Sequence, residues 1–251
     1  MNRITLMSLV SALAACSSSN KPTAEEYDDT AEAIGGAVVT GGGGGDVASM
    51  ADSVSISLGA MPLGLAVMAT GQVGGNRLGI DYTYTATCKD AAGAVLAKCD
   101  RTTDRAQIDV AWSGNLDTSN LDAAVSRDGS LTITGLQSDT ATISGDSSFS
   151  FDTTLQSIFH QGVTSSFAFD ASATYNAIVV STQDRQVVGG SAAFSVTAHR
   201  KVTGTTGHDV DKAFEVDATI AFNADHSASV VLDGTEHFTL NVTTGSVKRA
   251  D

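Results

Sequence analysis

In Phe214-Glu215-Val216-Asp217-Ala218-Thr219-Ile220-Ala221-Phe222, apolar side chains fall on every second position, with Glu215, Asp217 and Thr219 between them. A period of two with one apolar and one polar face is the pattern of an antiparallel strand that covers a core on one side. The same alternation runs through Ile80, Tyr82, Tyr84, Ala86 and Cys88, and through Ala106, Ile108, Val110 and Trp112. It returns in Phe167, Phe169, Ala171, Ala173 and Tyr175, in Phe194, Val196 and Ala198, and in Phe238, Leu240 and Val242. No proline follows Pro62, so nothing interrupts a ladder of backbone hydrogen bonds.

Turn residues punctuate these runs at Asp90-Ala91-Ala92-Gly93, Asp128-Gly129, Gly189-Gly190 and Asp233-Gly234. The pattern predicts an all-β fold over residues 63–251: an antiparallel β-meander of eight to eleven strands, as a barrel, half-barrel or sandwich. Parity constrains the last turn. A two-residue Asp233-Gly234 loop pairs Val230 with His237 and sends one apolar face outward. A three-residue loop, Leu232-Asp233-Gly234, keeps both faces inward, which predicts a type I turn with a G1 bulge at Gly234.

Upstream, the period changes. Thr23-Ala24-Glu25-Glu26 fits a capping box, and Tyr27, Ala31, Ile34 and Val38 share one face of a short helix. Gly41 to Gly45 end it. They lack the Lys-Ser/Thr pair of a phosphate-binding loop, and Asp46 follows instead, so a linker is expected. Val47, Met50, Val54, Leu58 and Met61 match a second helical face ending before Pro62, although Val54, Ile56 and Leu58 also alternate as a strand does. Residues 23–62 are thus expected to form one or two short helices with a Gly-rich linker, packed on the β body or plugging its mouth.

The chain has 251 residues with 14 Lys+Arg against 28 Asp+Glu, a net charge of −14, which disfavours nucleic-acid partners because phosphate binding needs clustered bases. A charged fraction of 17% with 25 glycines suits half-buried strands and turns better than surface helices.

The first residues read as an address. Arg3 precedes an apolar run from Ile4 to Ala15, which spans about 18 Å as a helix, against a bilayer core of roughly 30 Å. A charged start, a short apolar region and small residues at its end describe a signal peptide over residues 1–15. Leu13-Ala14-Ala15-Cys16 resembles the lipobox of bacterial lipoproteins. The resemblance implies cleavage between Ala15 and Cys16, a diacylglycerol thioether on Cys16 and N-acylation of the new terminus with a palmitate-class chain. Three chains exceed the two that stable anchoring needs. Ser17 after the cysteine leans toward the outer membrane, and residues 16–22 form the acylated cysteine and a flexible tether. The expected partner is therefore a membrane, reached through the N-terminal lipid.

Cys88 and Cys99 remain, flanking a turn at Asp90 to Gly93. An exported hairpin brings such a pair within disulfide reach. Of the five histidines, His160, His199, His208, His226 and His237, only His226 and His237 fall in one hairpin unit, with Asp225 and Glu236 beside them, and surface roles are expected. Asp117, Asn120, Asp122 and Asp128 lack the spacing of a calcium loop. Ser18-Ser19-Asn20-Lys21 has a Ser-x-x-Lys spacing but lies in the tether. Trp112 takes the inward phase and is expected in the core. No catalytic residue, metal-ligand set or cofactor is expected.

The Cys88–Cys99 hairpin running into Ala111-Trp112-Ser113-Gly114, with the closing Asp-Gly hairpin, resembles predicted deltaproteobacterial lipoproteins of no assigned function. The leading expectation is a non-enzymatic, lipid-anchored envelope protein serving as a structural or interaction module. The alternative is a carrier for an apolar ligand, held where the inward Ala171, Ala173, Ala198, Ala218 and Ala228 leave room.

Overall fold

The computed structural model describes residues 21–38, 45–68, 71–117, 121–156, 164–202 and 210–250. Two helices, α1 (Ala24–Val38) and α2 (Asp46–Ser57), precede twelve strands: β1 (Ala66–Val67), β2 (Val73–Arg77), β3 (Ile80–Lys89), β4 (Arg105–Asp117), β5 (Leu121–Thr134), β6 (Thr140–Gln156), β7 (Thr164–Ser181), β8 (Val187–Val202), β9 (Val210–Phe222), β10 (Ser227–Leu232), β11 (Glu236–Asn241) and β12 (Val247–Arg249). They form one antiparallel sheet in sequence order, β1 to β12, a meander that does not close into a barrel. Residues 1–20, where the signal peptide and the acylated Cys16 are expected, lie outside the described residues, as do residues 39–44 of the expected Gly-rich linker.

The alternating runs are strands, with the expected face buried. Ile80, Tyr82, Tyr84, Ile108, Val110 and Trp112 are each at most 2% exposed. The helices contact β3, β4 and β7 on one side and β10, β11 and β12 on the other. Across a flat sheet β3 and β12 would stand about 43 Å apart at 4.8 Å per strand. The sheet therefore curls around the helices, which fill its concave face.

Both helices are suited to that place by small residues. Every position from Glu26 to Val38 in α1 is buried, including Ala31, Ala33, Gly35, Gly36 and Ala37. In α2 the serines bond back along the helix, Ser49 to the Gly45 carbonyl at 3.0 Å, and Ser53 and Ser57 to the carbonyls four residues earlier, each at 2.7 Å. A hydroxyl that satisfies itself on its own helix can be buried without a partner across the interface. The inward alanines at 171, 173, 198, 218 and 228 are all buried, in the same core cluster as the apolar residues of α1 and α2.

The capping box forms as read: the Thr23 amide donates to Glu26 Oε2 at 2.7 Å, and the Glu26 amide to Thr23 Oγ1 at 3.3 Å. Residues 46–57 resolve to helix. Two expected turns do not exist. Asp128-Gly129 lies inside β5, where a Cβ on Gly129 would stand 2.8 Å from Ser147 Cβ and 3.3 Å from Arg127 Nη2. Its glycine accommodates the close approach of β6 at Asp146 and Ser147 rather than a bend. Gly189-Gly190 lies inside β8 opposite a register shift between Asn176 and Val179, and Gly190 carries a φ of 98° there. The glycine serves a bulge.

At Asp233-Gly234 the parity argument holds but the turn differs. Val230 faces Phe238 and Leu232 faces Glu236, so Asp233, Gly234 and Thr235 form the loop. Asp233 and Gly234 both take left-handed backbone, φ 47° and 69°, and Thr235 donates to the Leu232 carbonyl at 3.0 Å. That is the primed type of turn, whose twist matches the flanking strands. Asp233 is held there by its side chain, which accepts from the Asp217 amide at 2.9 Å and from the Tyr27 hydroxyl at 2.7 Å.

Candidate functional site

From Pro22 to Asn76 the chain carries seven carboxylates, Glu25, Glu26, Asp28, Asp29, Glu32, Asp46 and Asp52, and no basic side chain. The sheet supplies the opposite sign. Arg200 on β8 reaches Glu25 at 2.5 Å and Asp29 at 2.6 Å. Lys212 on β9 reaches Glu26 at 2.7 Å, Arg249 on β12 reaches Asp28 at 2.7 Å, and Arg77 on β2 reaches Asp52 at 2.6 Å. Arg127 on β5 holds Asp46 at 2.8 Å. In each of these pairs the acid is on a helix and the base on the sheet. Charge segregation along the chain becomes an electrostatic seam between the two layers.

The innermost part of the seam lies where α2 begins. Asp46 is its first residue, which places a carboxylate against the positive end of the helix. Arg127 and Asp46 have side-chain exposures of 0% and 3%. Tyr175 on β7 donates to Asp46 and shares a 2.6 Å hydrogen bond with Ser147. Burial pushes the Asp46 carboxyl above its ordinary range, partly offset by Arg127 and Tyr175. For Arg127 burial works against the charge, but Asp46 and then Tyr175 outweigh it, and the guanidinium stays protonated. One turn and a half along α2, Asp52 accepts from Arg77 and from the Tyr84 hydroxyl at 3.2 Å, and burial raises its carboxyl too.

An aromatic row lines the same face. Tyr82, Trp112 and Phe149 follow one another at centroid spacings of 6.3 Å, and Arg127 lies 5.5 Å over the Phe149 ring. Phe149 continues to Phe151 at 6.1 Å and Phe151 to Phe169 at 5.2 Å. These rings are buried, so they act as core and as wall, not as an exposed sugar platform.

The residues singled out from the sequence are distributed as follows. Cys88 and Cys99 are joined in a disulfide with their Cα atoms 5.3 Å apart. His226 sits exposed in the β9–β10 turn and His237 exposed on β11, while His199 pairs with Asp211 at 2.7 Å on the surface; His160 and His208 lie outside the described residues. Asp117 faces Asp122 across β4 and β5, whereas Asp128 lies six residues further along β5, about 20 Å away. Asn120 lies outside the described residues. Among the described residues no three His, Cys, Asp or Glu side chains gather as a metal site.

Sequence reading passed over the seam, although two signals pointed to it. Arg127, Arg200 and Lys212 stand in the inward phase of their strands, alongside Val125, Ala198 and Phe214. A base at a core position implies a buried acid, and residues 22–76 offer seven acids with no base among them. Comparison with known family models, curated proteins and solved structures found no match to this chain.

Proposed function

We propose that the chain is a lipid-anchored lipoprotein of the bacterial cell envelope, whose body serves as a non-enzymatic structural or interaction module. The observation that supports this reading is the occupied concave face. The protein's own helices pack on it, and each basic side chain of the seam holds a helix carboxylate. The anchor rests on the lipobox at Leu13 to Cys16. The outward face of the long strands fits a body held in water beside a membrane: Ser126, Asp128, Ser148, Ser150, Asp170 and Ser172 project from it, where a lipid-spanning barrel carries an apolar band. No helix among the described residues is long and apolar enough to cross a membrane.

The anchoring reading is tested by expressing the full chain and Cys16→Ser in a bacterial host and separating membrane from soluble fractions. Wild type partitions to the membrane with an acylated N-terminal cysteine by mass spectrometry, and Cys16→Ser does not. Equal partition of the two contradicts the anchor.

A second reading, a carrier for an apolar ligand, is supported by an open cleft. A cleft of about 590 Å³ opens between the end of α2, the β1–β2 edge and the disulfide loop, with Ile56, Leu58, Met61, Val67, Val73 and Ala97 among its walls. Leu63 nearby is 94% exposed, and Val67 64%. Apolar ligand co-purifying with the protein and lost in Val67→Asp supports this second reading; a ligand-free mass rejects it.

A further inference from the structure

Trp112 and Arg127 face each other directly across β4 and β5, on the concave side, and are 2% and 1% exposed. Arg127 spends Nε on Asp46. Among the described residues, neither its Nη1 nor its Nη2 meets a hydrogen-bond acceptor, and neither does Nε1 of Trp112. Tyr175 lies beside the guanidinium; its hydroxyl donates to Asp46, shares a hydrogen bond with Ser147 and keeps one lone pair toward Arg127. Among the described residues, these N–H groups of Arg127 and Trp112 thus stand buried on paired strands without a well-placed acceptor. Buried donors are almost always satisfied, and a guanidinium left with two open positions presents a fork shaped for an oxyanion.

The end of α2 adds to the same field. Asp46 brings the first turn of this 12-residue helix against Arg127, and its N-cap is Gly45, with no side-chain cap on the first-turn amides. Helix N-termini attract anions through those free amides and the aligned peptide dipoles. Around the donors the walls are aromatic, Tyr82 and Phe149 flanking Trp112.

We infer that Arg127, Trp112 and the N-terminus of α2 form a seat for an oxyanion, the carboxylate or phosphate of a small ligand, held by the Arg127 fork and the Trp112 indole N–H. The seat is independent of the lipid anchor and of the cleft at the β1–β2 edge. Asp46 orients the guanidinium through Nε and leaves the outer edge of the fork for the ligand. Phe149 beneath it keeps the group dry, which strengthens each charge-assisted hydrogen bond.

Trp112 is the only tryptophan in the chain, so its fluorescence reports the seat directly. The folded protein is titrated with sodium phosphate and, separately, with sodium decanoate at constant ionic strength. Saturable change with both identifies a site for the bare oxyanion; saturation with decanoate alone identifies an amphiphile headgroup; either supports the seat. Calorimetry with the effective probe then compares Trp112→Phe, which deletes one donor and keeps the ring, and is expected to weaken binding about tenfold. Arg127→Lys, which keeps the charge and loses the fork, is expected to weaken it further, and it decides the matter should Trp112→Phe melt below wild type. No saturable response to either probe, or affinity unchanged in these variants, overturns the seat.

Discussion

Arg200 on β8 and Asp29 on α1 meet at 2.6 Å with side-chain exposures of 3% and 1%, although 171 positions separate them in the chain. The pair links the first element of the body to its eighth strand, and Glu25 joins it at 2.5 Å from a half-exposed position. Desolvation offsets much of the attraction in such a pair, so its role is to fix the seat and register of α1 rather than to add net stability. Removing one partner is a different matter, because a buried charge is then left alone.

Arg200→Met is therefore expected to cost about 3–5 kcal/mol, and the Arg200→Met/Asp29→Leu double variant to recover most of that loss. Urea denaturation of the three proteins checks it. A double variant no more stable than the single one shows that the pair contributes net stability after all.

Gly35 tests how closely α1 is pressed onto the sheet. Alanine in a helix interior gains about 1 kcal/mol over glycine. Here a Cβ would stand 2.7 Å from the Gly245 carbonyl oxygen and 2.7 Å from Val247 Cγ2. Overpacking costs about 1–3 kcal/mol and outweighs the propensity gain. Gly35→Ala is expected to lower the melting temperature, whereas a rise would mean that α1 does not lie against β12.

The four tyrosines give a pH prediction. Burial raises each phenol: Tyr27 to about 12, with the hydrogen bond to Asp233 adding to it, and Tyr82 to about 12. Tyr84 and Tyr175 are raised further, burial leading and Asp52 or Asp46 adding to it. The native chain holds these protons more tightly than the unfolded one. Their contribution to stability is whole below the unfolded phenol pKa of about 10 and is lost as pH rises through about 12. Phenolate absorbance at a pH near 11 should stay flat in the native protein and appear only with unfolding. Separate ionisation of two tyrosines in a folded chain contradicts the burial described.

How far the sequence disclosed this structure depends on whether a signal was local. The capping box at Thr23 and Glu26 and the inward phase of Trp112 and Phe238 involve neighbours or a fixed period, and each was legible. Asp128-Gly129 and Gly189-Gly190 were misread because glycine has two uses. One gives the chain conformational freedom, which at Gly190 serves a bulge, and the other lets a neighbouring strand come close, as Ser147 does at Gly129, which is visible only when strands are laid side by side. The seam itself joins residues as distant as Asp29 and Arg200. Its trace in the sequence was compositional, bases in inward phase and a base-free stretch of seven acids, and composition does not say which acid meets which base.

The disulfide closes a loop of sequence separation 11. Loop entropy assigns it about 3 kcal/mol. Cys88→Ser/Cys99→Ser is expected to remain folded with a lower urea midpoint, since the bond joins the end of β3 to the loop before β4 and leaves the pairing of β4 to β9 untouched. The oxidised body should take up no maleimide before reduction. Labelling of native protein contradicts the pairing.

α1 and α2 are part of the core of the sheet and not a surface addition. Amide hydrogen exchange of the folded body, read by mass spectrometry at peptide resolution, tests it most directly. Peptides covering Tyr27 to Val38 and Met50 to Ser57 should exchange with the same opening free energy as those from β6, β7 and β8, because no helix can leave without opening the sheet that wraps it. Helix amides that exchange well before those strands would place the helices outside the core.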